Sequence, residues 1–358
     1  MARAWIAGKP VALERALTEA AGLLAASRCP LVTGLGTDIA GARAAIALAE
    51  RIGAVVDHMN AEILLRDLAV VREAGMMLTT PNEARLRADT LLLVGPSLEM
   101  DAPELAQWLG LDDPSRQRAI LRLCPERAPP IRGETRIGRD ADQLPGLLAA
   151  LRAQLAGRAI GKTGVSAKAL TDLATQLKAA RFGVAVWSAR DLDALVIEML
   201  CGIVSDLNAH TRFTGFPIAP GDNVVGVLQA SGWMTGFPMR TGFGRGYPEH
   251  DLWRFDGARM LAAHEADCVL WISAYRPATP PWRGGPPAIA LTTGDGAIGG
   301  APAVQIEVGR PGVDHDAVEH FAPLGTLVAR EATQRSETLS VVDAIGRIAA
   351  LSGAESGR

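Results

Sequence analysis

The sequence predicts an α/β protein made of two doubly wound, mainly parallel sheet units. Three observations carry this: short apolar runs bounded by breakers, helix-period stretches between them, and a restart of that alternation after residue 166. The chain opens with a helix at about 11–27 and the strand "PLVTG". The stretch "AGARAAIALAERIG" repeats its alanines and leucines at helical spacing, and "AVVDH", "TLLLVGP" and "AILRLC" follow as short apolar strands. Strands that alternate with helices imply a parallel sheet with crossover connections. Residues 128–140, "APPIRGETRIGRD", read as a connector rich in proline, glycine and charge, and a helix at 142–155 comes next.

From 166 the pattern resumes with a helix to 181, the strand "GVAVWSA" and a helix at 191–208. The strands "VVGVLQA", "CVLWISA", "AIALTT" and "AVQIEV" complete this part. Two segments, "RLRADTLLLVGPS" and "AHEADCVLWISAY", each run from a helix end through Ala-Asp into a buried strand and a turn. The final amphipathic stretch, "SETLSVVDAIGRIAAL", needs an apolar surface to dock on, and a partner chain is one that could supply it. The expected organisation is therefore a first α/β unit with its N-terminal helix at 1–140, a second at 141–310, and a C-terminal extension with a helix at 311–358.

Bulk properties narrow the function. Of 358 residues, 48% are hydrophobic and 21% charged, and the mean hydropathy of +0.15 is high for a free monomer, which points to subunit interfaces. A net charge of −3 without long runs of one sign gives no field to attract nucleic acid or an anionic membrane. The first residues lack the pattern of a signal peptide, no run of 18 apolar residues occurs, and the expected location is the cytoplasm. Cys29, Cys124, Cys201 and Cys268 lie far apart in apolar segments, without the paired spacing of a zinc or iron–sulfur site, and read as buried structural thiols.

Several motifs suggest chemistry. In "PLVTGLGTDIAGARAA" a strand, Gly34, Gly36 and a helix follow in the order of a dinucleotide fingerprint, and Asp57 ends the second strand. Ile39, however, fills the position where glycine or alanine is needed, so any strand-to-helix turn explains the glycines equally well. "DHDAVEH" places His315, Glu319 and His320 together, with His315 and Glu319 on one face if the segment is helical, yet a metal site needs a further ligand. No nucleophile elbow or His-Glu-x-x-His occurs, and Ser231 has no evident base.

The stretch "TGFPMRTGFGRGYPEHD" at 235–251 differs from these. Glycines and prolines surround Arg240 and Arg245, and Trp233, Phe237, Phe243 and Tyr247 stand nearby. A guanidinium pair suits a carboxylate or phosphate, so an anion clamp and a structural plug both remain open.

The region from "ASGWMTGFPMRTGFGRGYPEHDLWRF" through "CVLWISAYRP" resembles the B-type subunit of formylmethanofuran dehydrogenases, in the molybdopterin oxidoreductase superfamily. Gly236–Phe237–Pro238 and Arg245–Gly246–Tyr247–Pro248 carry the likeness, and "CPLVTGLGTDIAGARAAIALAERIGAVVDH" is similar to that family's first α/β unit. The resemblance covers most of the chain and implies two reduced units of the molybdopterin oxidoreductase type. Redox-active members carry an N-terminal cysteine cluster and a Cys-His pair after the second strand. This chain has no cysteine before Cys29, and it reads "DHMNAEILLRDL" where the pair would stand.

That pattern of loss resembles the branch serving as the B-type subunit of the bacterial formyltransferase/hydrolase complex, which converts formyl-tetrahydromethanopterin to formate through a methanofuran-type carrier. The resemblance implies a cofactor-free structural subunit, with metal in the hydrolase (A-type) chain and with C-type and formyltransferase chains as further partners. It assigns no catalytic residue here and leaves Arg240 and Arg245 as contacts for the anionic carrier tail or as a vestigial site. The alternatives are an active molybdenum or tungsten formylmethanofuran dehydrogenase subunit and a nucleotide-binding dehydrogenase.

Overall fold

A computed structural model describes residues 3–113, 115–126, 128–161, 164–282, 284–294, 298 and 302–352. The first strands, β1 (Ala4–Ile6) and β2 (Lys9–Val11), form a hairpin turned by Ala7 and Gly8, both at positive φ. Helix α1 (Leu13–Ala26) buries Ala16, Leu17, Ala20, Ala21 and Leu24 in one stripe, and β3 (Pro30–Gly36) is buried throughout. Helix α2 (Ile39–Ile52) starts on the Asp38 carboxylate, which accepts from the Gly41 N–H at 3.0 Å, and stops at left-handed Gly53. Then come β4 (Val55–Val56), α3 (Ala61–Ala74) and α4 (Pro81–Arg87), the last capped by Thr80 with Pro81 in its first turn.

Strand β5 (Thr90–Val94) leads through the short helices α5 (Leu98–Asp101) and α6 (Leu105–Leu109) to β6 (Ala119–Leu123) and β7 (Glu134–Ile137). Helices α7 (Leu144–Leu155) and α8 (Ala167–Ala179) precede β8 (Phe182–Ser188), α9 (Ala194–Leu207) and β9 (Arg212–Ile218). Ser166 and Asp193 cap α8 and α9 through the N–H groups of Ala169 and Val196. The remaining elements are α10 (Val224–Thr235), β10 (Thr241–Gly242), β11 (Glu249–His250), α11 (Gly257–Ala262), β12 (Cys268–Ser273), β13 (Ala288–Thr292), β14 (Val304–Glu307), β15 (Ala317–Phe321), β16 (Thr326–Arg330) and α12 (Val341–Leu351).

These elements form two compact units that interrupt each other in sequence. A discontinuous unit takes 1–61, 222–320 and 327–358, and an inserted unit takes 62–221 with 321–326. This differs from the expected boundaries at 140 and 310, and strand pairing supplies the reason. β12 runs parallel to β3, while β14 runs antiparallel to β1, so the first and last parts of the chain share one sheet. That sheet has the order β11-β10-β4-β3-β12-β13-β14-β1-β2.

The inserted unit holds a five-stranded, all-parallel sheet in the order β7-β6-β5-β8-β9. Its central strands β5 and β8 are buried on both faces because helices cover both. Leu92, Val94, Leu121 and Leu123 face a core shared with α7, α8 and α9, whereas Leu91, Leu93 and Ile120 face another shared with α4 and α6. Each fully buried leucine on these faces contributes about 1.5–3 kcal/mol.

The α/β class with parallel sheets is as the sequence predicts, but three elements differ. "VVGVLQA" is the start of α10 rather than a strand, since Val224, Val227 and Ala230 repeat at helical spacing on its buried side. Residues 128–140 contain β7 as an edge strand. The apolar face of α12 docks within its own unit, on α1 and α2, burying Val341, Ala344, Ile345, Ile348 and Ala349. No partner chain is needed to cover that face.

Candidate functional site

In the discontinuous unit the chain crosses from β3 to β4 on one side and from β12 to β13 on the other, so the winding reverses between β3 and β12. A doubly wound sheet opens its ligand crevice at such a reversal, beyond the carboxyl ends of the strands. Here the chain itself occupies that edge. Asp222 and Asn223 take left-handed backbone angles, φ 61° and 56°, and turn their side chains into it. Arg276, three residues past β12, clamps the Asp222 carboxylate through Nη2 at 2.7 Å and Nε at 3.0 Å.

Asn60 Nδ2 donates to Asp222 Oδ2 at 3.3 Å, Asn223 Nδ2 donates to the Thr37 carbonyl at 2.9 Å, and the His320 N–H donates to Asn223 Oδ1 at 2.9 Å. His58 Nδ1 accepts from the Asn60 N–H at 2.9 Å, which leaves Nε2 as the donor to the Asp222 carbonyl at 3.2 Å. Burial pushes the His58 pKa down to about 4, so the imidazole is a neutral strut at pH 7.

The glycines of the dinucleotide-like turn lie inside β3, at a bulge where the pairing with β12 shifts between Trp271 and Ser273. Gly34 has φ 78°, and a methyl group there would lie 2.5 Å from the Ile272 carbonyl oxygen. A methyl group on Gly36 would lie 3.0 Å from Met59 Cε and 3.4 Å from Asp222 Cβ. Asp38 already caps the helix N-terminus that would receive a pyrophosphate. These glycines therefore serve close packing, and among the described residues they form no nucleotide cradle.

Asp57 follows β4 and is buried, accepting from the N–H groups of His58 and Gly257, each at 2.9 Å. Burial pushes its pKa up to about 7, against the pull of those donors and of Arg240. Arg240 is buried with φ 63°, its guanidinium 2.7 Å from Asp256, 3.8 Å from Asp57 and bonded to the Leu252 carbonyl at 2.8 Å. Arg245 stands in the solvent, 59% exposed, on Glu249 at 3.1 Å, and its pKa is raised by the Tyr247 side chain and then by Glu249. The two arginines therefore face different environments: Arg240 ties the loop together from within, and Arg245 alone offers its charge outward.

His315, Glu319 and His320 do not form the helical pair that the sequence allows. Glu319 and His320 lie on β15, and Glu319 binds the Tyr275 hydroxyl at 2.9 Å and Arg330. No group of three potential metal ligands occurs among the described residues. Cys124 and Cys268 are buried as expected, Cys29 and Cys201 only half so, and burial raises all four thiol pKa values.

Cys29 precedes β3 and Cys268 begins β12, so both lie at the amino ends of these strands, opposite the crevice edge. The groups at that edge are carboxylate, imidazole, thioether and guanidinium, packed on one another. They do not fit a thiolate-held molybdenum or tungsten pterin. Sequence reasoning missed Asp222 and Arg276, because "GDN" reads only as a turn and its partner lies 54 residues away.

The fold and its relatives together define a B-type subunit of the formylmethanofuran dehydrogenase kind, with the Asp222–Arg276 pair at the carboxyl edge of its sheet. The chain is 26% identical to the B-type subunit of the tungsten-containing formylmethanofuran dehydrogenase 2 of Methanocaldococcus jannaschii over 288 residues, 74% of this chain and 65% of that protein. It is 38% identical over 318 residues to the B-type subunit of the formyltransferase/hydrolase complex of Methylorubrum extorquens, 86% of this chain and 85% of that one.

In the crystal structure of the M. extorquens complex (FhcABCD) with methylofuran, a chain matches this fold with a TM-score of 0.86 and 36% identity, covering 96% of this chain and 97% of its own. No protein-family profile matches the chain. The chain belongs to the family of B-type subunits of the formyltransferase/hydrolase complex.

Proposed function

We propose that this chain is the structural B-type subunit of a formyltransferase/hydrolase complex that converts formyl-tetrahydromethanopterin to formate through a methanofuran-type carrier, in the oxidation of one-carbon units. The observation that carries the reading is the 38% identity to a subunit of such a complex over 86% of the chain. The mutual pairing of Asp222, His58 and Arg276 at the crevice edge supports a subunit that binds neither pterin nor metal itself. Formyl transfer and hydrolysis then fall to partner chains, the formyltransferase and an A-type hydrolase holding the metal, with a C-type chain completing the assembly. The complex works in the cytoplasm. No helix among the described residues is long and apolar enough to cross a membrane.

Of the two arginines, Arg245 is the contact for the carrier's anionic tail, because its guanidinium is at the surface, and Arg240 keeps the loop in shape. Native purification of a tagged chain tests the whole reading. Hydrolase and transferase chains should copurify, with molybdenum and tungsten absent from active material. One molybdenum or tungsten per chain would instead establish the redox alternative.

A further inference from the structure

The inserted unit holds a cavity of about 670 Å³ that no step of the proposed function uses. It lies between α6, the loop 110–118 that leads into β6, and the loop 129–133 that leads into β7. Its size falls within the roughly 300–1,000 Å³ of sites for small organic ligands. Leu105 and Ile120 belong to the buried core beside α4 and α6, while Leu111 and Ile131 pack on that core only partly covered. The cavity therefore has an apolar floor.

Its walls carry positive charge. Arg116, Arg118 and Arg132 line it, and Arg85 runs over Gly110, where a methyl group would lie 3.4 Å from Arg85 Cγ. Arg118 donates to the carbonyls of Leu109 at 2.9 Å and Arg85 at 3.1 Å, in the last turns of α6 and α4, and Arg116 donates to the same Arg85 carbonyl. Capping two helix ends accounts for where Arg118 sits, but not for the crowding of like charge around it. Asp113 balances Arg116 at 3.3 Å, whereas Arg85, Arg118 and Arg132 form no ion pair among the described residues. Burial and then the Arg116 charge lower the Arg118 pKa; Asp113 opposes them, and Arg85 adds to the fall. Arg118 Nε is buried without an acceptor.

We propose that this cavity binds a small organic anion, an apolar or aromatic body ending in one carboxylate or phosphate. The oxyanion pairs with Arg118 and Arg132, and the body covers Leu111 and Ile131. Inorganic phosphate alone would leave the floor wet. A polyanion would meet Glu99, Asp112 and Asp113, which line the same cavity. Glu99 does not compete for Arg118, because Nη2 of the fully buried Arg122 holds its two oxygens at 2.7 and 2.8 Å. All of these residues belong to the inserted unit, and the site is independent of the function proposed above.

Calorimetry on the full chain, purified natively with whatever subunits accompany it, tests the proposal. The probes are 1-naphthyl phosphate and 1-naphthoate, with inorganic phosphate and 1-naphthol as separate head and body. At least one of the two anions should bind about tenfold or more tightly than either separate part, and the tighter one identifies the head group. Arg118→Ala should weaken that binding about tenfold or more, since it removes a charge-assisted pair. Arg118 also holds two helix ends, so Arg132→Ala is the second variant. Arg132 pairs with no described residue, and its loss should weaken binding about fivefold without moving the melting temperature. Arg139→Ala, at an 85% exposed arginine outside the cavity, should change neither. The proposal is overturned by no binding at about 1 mM probe, by a separate part that binds as tightly as the whole, or by binding that Arg132→Ala and a folded Arg118→Ala leave intact.

Discussion

The two sheets solve the same problem with the same pieces and differ in how deeply they bury them. In each, the winding reverses beside a strand that ends in serine, with an alanine and then an arginine beyond it: Ser188, then Ala189 and Arg190, at β8, and Ser273, then Ala274 and Arg276, at β12. In each, that arginine grips an aspartate across the crevice, Asp101 in the inserted unit and Asp222 in the discontinuous one. The Asp101 side chain is 1% exposed and Arg190 35%, whereas Arg276 is 61% exposed over a buried Asp222.

Both units also brace the start of the neighbouring strand with the aspartate of an Ala-Asp pair. Asp89 accepts from the Arg181 N–H at 3.0 Å, and Asp267 accepts from the Arg28 N–H at 2.8 Å. The comparison shows that each doubly wound sheet sets an ion pair of its own beside the reversal of its winding. The stability this confers depends on how much water the pair excludes.

The largest expected effect separates the two pairs. Arg190→Ala leaves a buried carboxylate uncompensated and should cost about 3 kcal/mol, read as faster hydrogen exchange along β8. Arg276→Ala should cost about 1 kcal/mol along β12, because water already screens that guanidinium. An equal loss at both sites would break the comparison.

A second contrast lies between two buried aspartates. Burial holds the Asp67 pKa up to about 7 with only the Trp187 indole N–H, at 2.8 Å, pulling it down. A raised carboxyl pKa stabilises the fold while the group is protonated. That contribution is complete below about pH 4 and disappears as pH rises through 7. Asp67→Asn should therefore gain about 1–3 kcal/mol at pH 8 and nothing at pH 4, measured by thermal melting at both. Asp57→Asn should gain less, since it takes an anion from Arg240. The smallest effect belongs to Arg245→Ala, which should leave the melting temperature unchanged and lower the carrier content of the purified complex.

Much of the fold was legible because parallel strands buried on both faces read as continuous apolar runs. β3, β5, β8 and β12 all do so, and the caps Asp38, Ser166 and Asp193 stand where the helices begin. α10 was illegible because Val224–Val225–Gly226–Val227 is apolar without a break, and its N-cap is a left-handed Asn223 rather than an ordinary capping residue. Pairing was illegible too, since periodicity gives an element's type but not its neighbour, and β3 meets β12 more than 230 residues later. At the site, the arginine-bearing loop was readable by composition. That Arg240 would turn inward followed only from carboxylates at 57 and 256, which the fold brings together.

The interleaving of the units also sets an order of assembly. As the chain leaves the ribosome, residues 62–221 can close their five-stranded sheet, because that ladder lacks no strand. β3, by contrast, waits with one side unpaired until β12 is made, and β1 waits for β14. Through most of synthesis the earliest residues are therefore the last to fold, and a nascent chain halted before residue 268 exposes the bare side of β3 to chaperones and to other unfinished copies.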